Sequence, residues 1–409
     1  MSAVPVFGRS PADSIRIAVI GVHGRGRDHI AGFQGVRDAD VVLLCDPDEN
    51  VLRSRASHFE SKYGKKVDTE IDLRRVLERK DIDAVSIATP NHWHALAAIW
   101  ACQAGKDVYV EKPGCHNLYE GRRLVQAAHK YDRIVQHGVQ LRSSEALQEA
   151  VSLLRKGVIG DVYMARGLVY RSRPSIGKKA DTPVPSGLHY DLWQGPAAKR
   201  PFNPNIVHYN WHWRWAYGNG EIGNQGIHET DMCMWGLGMT ALPTTISAVG
   251  GKYLWDDDKE TPEVLTARYQ FPSKKMIGME IRPWANHAEE GIPVGNIFYG
   301  KDGILLVKGY NEFKVLLGKN REPGPKGHAG GNHFANFIEA VRSHNRGIQN
   351  GPVETAHTSS GLAHLANISY RLKRELQFDP ATERFVGDQK ANHLLSRDYR
   401  ASFEVPERV

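Results

Sequence analysis

Apolar residues follow two textures along this chain. Residues 15–20, 41–45, 84–88, 108–110 and 134–137 are short, largely β-branched runs. Amphipathic stretches over 28–36, 49–63, 72–79, 95–104, 118–131 and 145–156 separate and follow them. Strands alternating with helices predict a parallel sheet covered on both faces, and right-handed crossovers make it doubly wound. Beyond residue 160 the strands succeed one another with few helices, over 162–170, 246–250, 264–271, 276–282, 297–299, 304–307 and 313–316. That texture predicts an α+β part with a mostly antiparallel sheet. Two late helices are expected near 333–343 and 355–375. Residues 173–204, rich in proline and glycine, read as a long loop over the junction of the two parts. The expected division is a tail over 1–14, a first domain over 15–140, a second over 141–376, and a tail over 377–409 that returns across the fold.

Composition narrows the class. A chain of 409 residues exceeds one ordinary core. With 41% hydrophobic and 24% charged residues it has the balance of a globular protein. No apolar run is long enough to span a bilayer, so no membrane partner is expected. The net charge of +7 is spread along the length, which argues against nucleic acid and leaves anionic ligands open. Four scattered cysteines without a C-x-x-C pair suggest neither a disulfide framework nor a zinc ribbon. The first fourteen residues lack the regions of a signal peptide. Cytoplasm is the default expectation, and periplasm follows if an export signal has been removed.

The chemistry begins at the first strand's end. Gly21-Val22-His23-Gly24-Arg25-Gly26 is a variant of the G-x-G-x-x-G spacing. Its glycines permit a tight turn and close approach of backbone to a pyrophosphate at a helix N-terminus. Asp46, twenty residues beyond Gly26, ends the second strand. There a carboxylate accepts hydrogen bonds from the adenosine ribose, which favours NAD; the alternative is a helix-capping aspartate. Arg25 keeps NADP possible, because a guanidinium near the ribose accepts a phosphate. Thr89, Pro90, Asn91 and His94 follow a strand and are expected beside the nicotinamide, or else as a helix-starting turn. Glu111-Lys112-Pro113 follows another strand, placing a lysine at the sheet edge where such folds bind ligands. A partly desolvated lysine there can exchange a proton with a hydroxyl.

The glycine loop, Thr-Pro-Asn-x-x-His from Thr89 to His94, and Glu111-Lys112-Pro113 together resemble the glucose–fructose oxidoreductase/inositol dehydrogenase (Gfo/Idh/MocA) family over nearly the whole chain. The resemblance implies an N-terminal Rossmann sheet and a C-terminal domain with a large, mostly antiparallel sheet flanked by helices. It implies an NAD(P)-dependent oxidoreductase acting on a small carbohydrate or cyclitol, assembled as a homodimer or homotetramer through the C-terminal sheet. It also implies an Asp-x-x-x-His pair facing the substrate. His228 matches the histidine, but Asn224 stands where the aspartate is expected, and an amide cannot take a proton. Lys112 and His228 are therefore the expected catalytic pair, with Glu111 paired to Lys112 or touching the cofactor.

Substrate contacts are sought in three places. Asp231 lies one turn beyond Ile227 and either positions a hydroxyl or pairs structurally. Gln140 and Arg142 follow the strand over 134–137 at the sheet's carboxyl edge. Tyr209, Trp211, Trp213, Trp215 and Tyr217 recur at every second position, as on one face of a strand, where aromatics could stack on a pyranose and His212 could read its hydroxyls. A structural core strand explains the same pattern. Among nineteen histidines no metal-binding spacing appears, so no metal is expected. Besides the dehydrogenase, two functions remain open: a redox-neutral glycoside hydrolase or lyase working through a transient keto-sugar on tightly held NAD, and a non-catalytic dinucleotide sensor. The Glu-Lys-Pro lysine favours the dehydrogenase.

Overall fold

Strand and helix alternate strictly through the first third of the computed structural model, which describes residues 14–284 and 288–409. The order is β1 (Ile15–Ile20), α1 (Arg25–Gln34), β2 (Ala39–Cys45), α2 (Glu49–Tyr63), β3 (Asp68–Glu70), α3 (Leu73–Glu78), β4 (Ala84–Ile87), α4 (Asn91–Gln103), β5 (Asp107–Glu111), α5 (Leu118–Lys130) and β6 (Val135–Gly138). The six strands pair in parallel in the order β3-β2-β1-β4-β5-β6. Alternating side chains serve both faces. Ile17 and Val19 pack with residues of α1 and α2, whereas Ala18 and Ile20 pack with those of α3, α4 and α5. Strand order reverses between β1 and β4, which opens a crevice at their carboxyl ends.

The second part contains α6 (Glu145–Arg155), β7 (Val162–Tyr170), α7 (Tyr190–Gln194), α8 (Gly220–Asn224), α9 (Gly226–Leu237), β8 (Thr245–Gly251), β9 (Val264–Gln270), β10 (Met276–Arg282), β11 (Val294–Gly300), β12 (Gly303–Lys308), β13 (Glu312–Leu317), β14 (Glu322–His328), α10 (His333–Ser343), α11 (Val353–Leu372), β15 (Leu376–Asp379), β16 (Arg384–Phe385) and α12 (Gln389–His393). Ten strands form one sheet in the order β14-β13-β12-β11-β7-β10-β9-β8-β15-β16. Only the β7–β10 pair is parallel among these described strands. Helices α6, α9 and α11 bury one face of it.

The structure differs from the pattern in instructive places. β14 carries Pro323, Gly324 and Pro325, so it lacks strand periodicity, and it sits at the sheet edge, where proline costs no ladder bond. The division at residue 141 is not respected by packing. Phe337, Ile338 and Ala340 of α10 join the core of the first sheet. Helix α11 contributes Val353 and Ala356 to that domain and Leu362 to Ile368 to the second. The expected tail begins inside β15, and further on Phe403 packs at edge-on angles against Trp93.

Close approach of α9 to the sheet depends on Gly236, where a Cβ would meet Phe298 Cε1 at 2.3 Å. Gly236→Ala is therefore expected to destabilise the fold by about 1–3 kcal/mol, read as a lower melting temperature in a thermal scan.

Candidate active site

A cleft of about 370 Å³ opens at the crevice between β1 and β4, a size suited to part of a small-molecule ligand. The glycine loop forms its floor. Gly21 adopts φ +82°, and a Cβ there would lie 2.8 Å from the Ala88 and Thr89 backbone. A Cβ on Gly26 would lie 1.9 Å from the Gly21 carbonyl, so Gly26 sits under the loop and not on the cleft wall. No side chain caps α1, which leaves its first amides for an anion. Thr89 Oγ1, buried and unpartnered, lies on the same wall. Asp46 accepts hydrogen bonds from Val22 N (2.9 Å) and Asp48 N (3.1 Å), and burial pushes its pKa up to about 6 against their opposing effect. The capping aspartate of α2 is Asp48, not Asp46. Gly21, His23, Gly24, Arg25, Asp46, Thr89, Pro90, Asn91, His94, Glu111 and Lys112 all line the cleft. These residues fit a dinucleotide: a glycine turn, an open helix terminus, a ribose carboxylate and an orphaned hydroxyl.

Arg25 is not free to meet a ribose phosphate. Its Nε donates to Glu111 Oε1 at 2.8 Å. The same oxygen accepts from His29 Nε2 (3.1 Å) and Gln140 Nε2 (2.8 Å). Burial pushes the Glu111 carboxyl up, but Arg25 and His29 outweigh it and hold it well below the usual range. Glu111 thus holds the loop and accepts the Lys112 backbone amide but not its amine, which donates instead to Asn224 O (2.8 Å) and Oδ1 (3.3 Å). Burial lowers the Lys112 pKa, partly offset by Glu111. His94 faces two carbonyls, Pro113 O at 2.6 Å and Thr89 O at 2.8 Å, and clips the two loops together. Asn91 donates to Asn219 Oδ1 at 3.0 Å.

Residues 186–213 roof the cleft. His189 N donates to Pro47 O (2.8 Å), and Asn50 Nδ2 donates to Ser186 O (3.2 Å). His208 Nε2 donates to Asp48 Oδ2 (3.0 Å) while its ring stacks on His23 at 4.4 Å. The roof's underside presents Trp193, His208, Tyr209, Trp211 and His212. Here the expected strand is replaced by a single 3₁₀ turn, Asn210–Trp213. Without a neighbouring strand to pair with, the period of two scatters its aromatics. Trp211 stacks on His212 at 3.6 Å in the cleft. Trp213 turns away beneath Arg173 and Lys259. Tyr217 is fully buried beside Tyr190 and Trp193.

The remaining expected contacts separate. Asn224 lines the cleft at the end of α8. His228 lies one turn on, in α9, with Nδ1 buried and unpartnered and its ring 5.2 Å from Tyr310. Burial, aided by Lys112, takes its pKa down to about 3, so the ring is neutral. Arg142 and Asp231 stand outside the cleft lining and bind each other at 2.8 and 2.9 Å, with Ser359 Oγ donating to Asp231 at 2.6 Å, which is the structural pairing held open for Asp231. Gln140 is likewise a support for Glu111 and Tyr109, away from the cleft. Among the described residues no group of three metal-ligating side chains forms. Sequence reasoning missed Gln225, Glu229 and Tyr310. Gln225 Nε2 donates to Glu229 Oε1 (3.1 Å) and to Tyr310 Oη (2.9 Å), a link made across 85 residues by a turn without a motif.

Comparisons with known proteins agree with this architecture. The WlbA dehydrogenase from Bordetella pertussis, solved with NADH and UDP-GlcNAcA, superposes with a TM-score of 0.67 at 20% identity, covering 90% of this chain and 99% of that one. Aldose-aldose oxidoreductase from Caulobacter crescentus gives 0.67 at 16% identity, covering 89% and 100%. At such identities these likenesses concern the fold. Among curated proteins, a glycosyl hydrolase family 109 protein from Shewanella putrefaciens is 30% identical over 156 residues, which are 37% of this chain and 34% of that protein. The counterpart from Shewanella baltica is 28% identical over the same shares. The chain thus matches about a third of the length of these relatives. Residues 15–139 match the model described as "Oxidoreductase family, NAD-binding Rossmann fold". Residues 172–269 and 308–405 match "Oxidoreductase family, C-terminal alpha/beta domain". With an NAD-binding Rossmann domain and the companion α/β domain both matched, the chain belongs to the Gfo/Idh/MocA oxidoreductase family.

Proposed function

We propose that this protein is an NAD-dependent oxidoreductase moving hydride between nicotinamide and a secondary hydroxyl or keto carbon of a sugar, glycoside or cyclitol. The observation that carries the reading is Lys112 on the cleft wall, its amine held by Asn224 opposite the glycine loop. Bound NAD supplies the hydride acceptor. Lys112 takes the hydroxyl proton as the C–H hydride leaves, and returns it in the reverse direction. His228, being neutral, orients a hydroxyl without storing charge. Tyr209, Trp211 and His212 offer ring faces for the apolar side of a pyranose. Preference for NAD rests on Asp46 at the end of β2, with Arg25 committed to Glu111. Assembly as a homodimer or homotetramer would use the outer face of the ten-stranded sheet, where Tyr299, Ile304 and Leu316 are only partly buried.

The roof favours a second reading. A segment anchored at Pro47, Asp48 and Asn50 crosses the adenosine side, so exchange of the dinucleotide requires those contacts to open. A retained cofactor suits redox-neutral glycoside cleavage, in which the hydride returns to the substrate.

Incubation with NAD and a panel of monosaccharides and glycosides, followed for reduced nicotinamide and product mass together, separates the readings. Net NADH with a keto product is expected; released aglycone without net NADH selects the second, and silence on every compound speaks for a sensor. Lys112→Ala should lower kcat about 10²–10⁴-fold while NAD affinity, measured by titration calorimetry, stays the same. NAD affinity should weaken as pH falls through about 6, where Asp46 gains its proton and loses acceptor capacity. In Asp46→Asn that dependence should flatten. Protein loaded with NAD and then desalted should release near-stoichiometric nucleotide on denaturation; an empty extract would remove the support for retention.

A further inference from the structure

Lys112 is held by an amide whose orientation is decided elsewhere. Asn224 presents two oxygens to the lysine amine, the backbone carbonyl at 2.8 Å and Oδ1 at 3.3 Å. An asparagine side chain offers an acceptor at one end and donors at the other, so whatever binds Nδ2 selects which end meets the lysine. That partner is Glu221, whose Oε2 accepts from Asn224 Nδ2 at 3.3 Å. Glu221 is buried one turn back on α8 and is gripped in bidentate fashion by Arg173, Nε at 3.0 Å and Nη2 at 2.8 Å. Arg173 in turn lies over the Trp213 ring at 5.6 Å.

We propose that Glu221 is a positioning residue that acts through Asn224, locking the amide so that both N–H bonds of a neutral Lys112 amine are absorbed and its lone pair is left for the cleft. The inference rests on the reading of Lys112 as the proton-transfer group. A neutral amine has two N–H bonds and one lone pair; the two Asn224 oxygens use the former and leave the latter as the only open direction. An aspartate at 224 would place an ionised carboxylate beside the amine and hold it as ammonium. The surrounding charges agree. From the first domain, Glu111 faces Lys112 but is neutralised by Arg25. From α8 and the loop after β7, Glu221 is neutralised by Arg173. From α9, burial pushes Glu229 up to about 8 and keeps it protonated at neutral pH, and His228 is neutral. From the roof and α4, His212 and His94 have pKa values lowered by burial. No unpaired carboxylate among the described residues stabilises the ammonium form.

The test reads the lysine directly and needs no substrate. Full-length protein is labelled competitively with acetic anhydride across pH, and the modified fraction of the Lys112 peptide is read by mass spectrometry. Glu221→Gln should lower the labelling midpoint by about one pH unit, because Arg173 loses its counter-charge and the glutamine's NH₂, in place of the second carboxylate oxygen, loosens the hold on the Asn224 amide. Asn224→Asp should raise the midpoint by about one unit or more. In an Asn224→Ala background, adding Glu221→Gln should shift the midpoint about half as much or less, the remainder being the direct charge effect of an uncovered Arg173, since the positioning part runs through the missing amide. An unmoved midpoint in a folded Glu221→Gln protein overturns the proposal, as does a full shift that persists without Asn224. If Glu221→Gln does not fold, a midpoint left unchanged by Asn224→Asp overturns it alone. Should the midpoints move as expected while Lys112→Ala retains full turnover, the catalytic reading fails and the positioning chain stands.

Discussion

A single buried carboxylate organises this cleft. Glu111 ends β5 at the carboxyl edge of the first sheet, and its Oε1 gathers Arg25 from the glycine loop, His29 from α1 and Gln140 from beyond β6. Its second oxygen accepts the Lys112 amide at 3.1 Å. Glu111 is buried while Arg25 is partly exposed, so loss of the arginine would leave a desolvated carboxylate with its histidine and amide donors but without its charge partner. The cost of that loss is what gives the arrangement its precision. The loop that would cradle a pyrophosphate and the lysine that would move a proton share one anchor, so neither can shift without the other.

The same economy of charge extends across the cleft. Anions near Lys112 are paired with arginine, and nearby histidines are neutral through burial. Desolvation, normally a penalty, here lowers the Lys112 pKa, which is what the proposed role as a base would need. Asn224, which departs from the aspartate of the resembled pattern, fits that logic: an amide holds the amine without charging it. The roof over 186–213 adds enclosure, and its aromatic underside meets the glycine loop through the His23–His208 stack.

Much of this was legible in the residues. Apolar runs located five of the six parallel strands, because a strand buried on both faces must be apolar throughout; β3, the three-residue edge strand Asp68–Glu70, is polar and carries no such signal. Glycine loop, Asp46 and the Glu111–Lys112 edge came together because β–α–β connectivity places successive strand ends side by side. Periodicity failed where no partner strand existed, over 209–217, and at β14, whose prolines are tolerated only because it lies at an edge. The pairing of Arg142 with Asp231 was not legible for a different reason. A charged residue at a sheet edge looks free until its partner, 89 residues away, is seen beside it.

Local pattern and elementary stereochemistry thus determined most of the strands and long helices, the dinucleotide loop and the lysine at the sheet edge, since each depends on neighbours within a few turns of chain. Tertiary structure alone decided that Arg25 serves Glu111, that α10 returns to the first core, and that a segment of the second part roofs the cleft. It also decided which end of Asn224 faces Lys112. These are matters of long-range desolvation and pairing: a polar group's role is set by the partner that satisfies it once water is gone, and that partner lies far away in sequence.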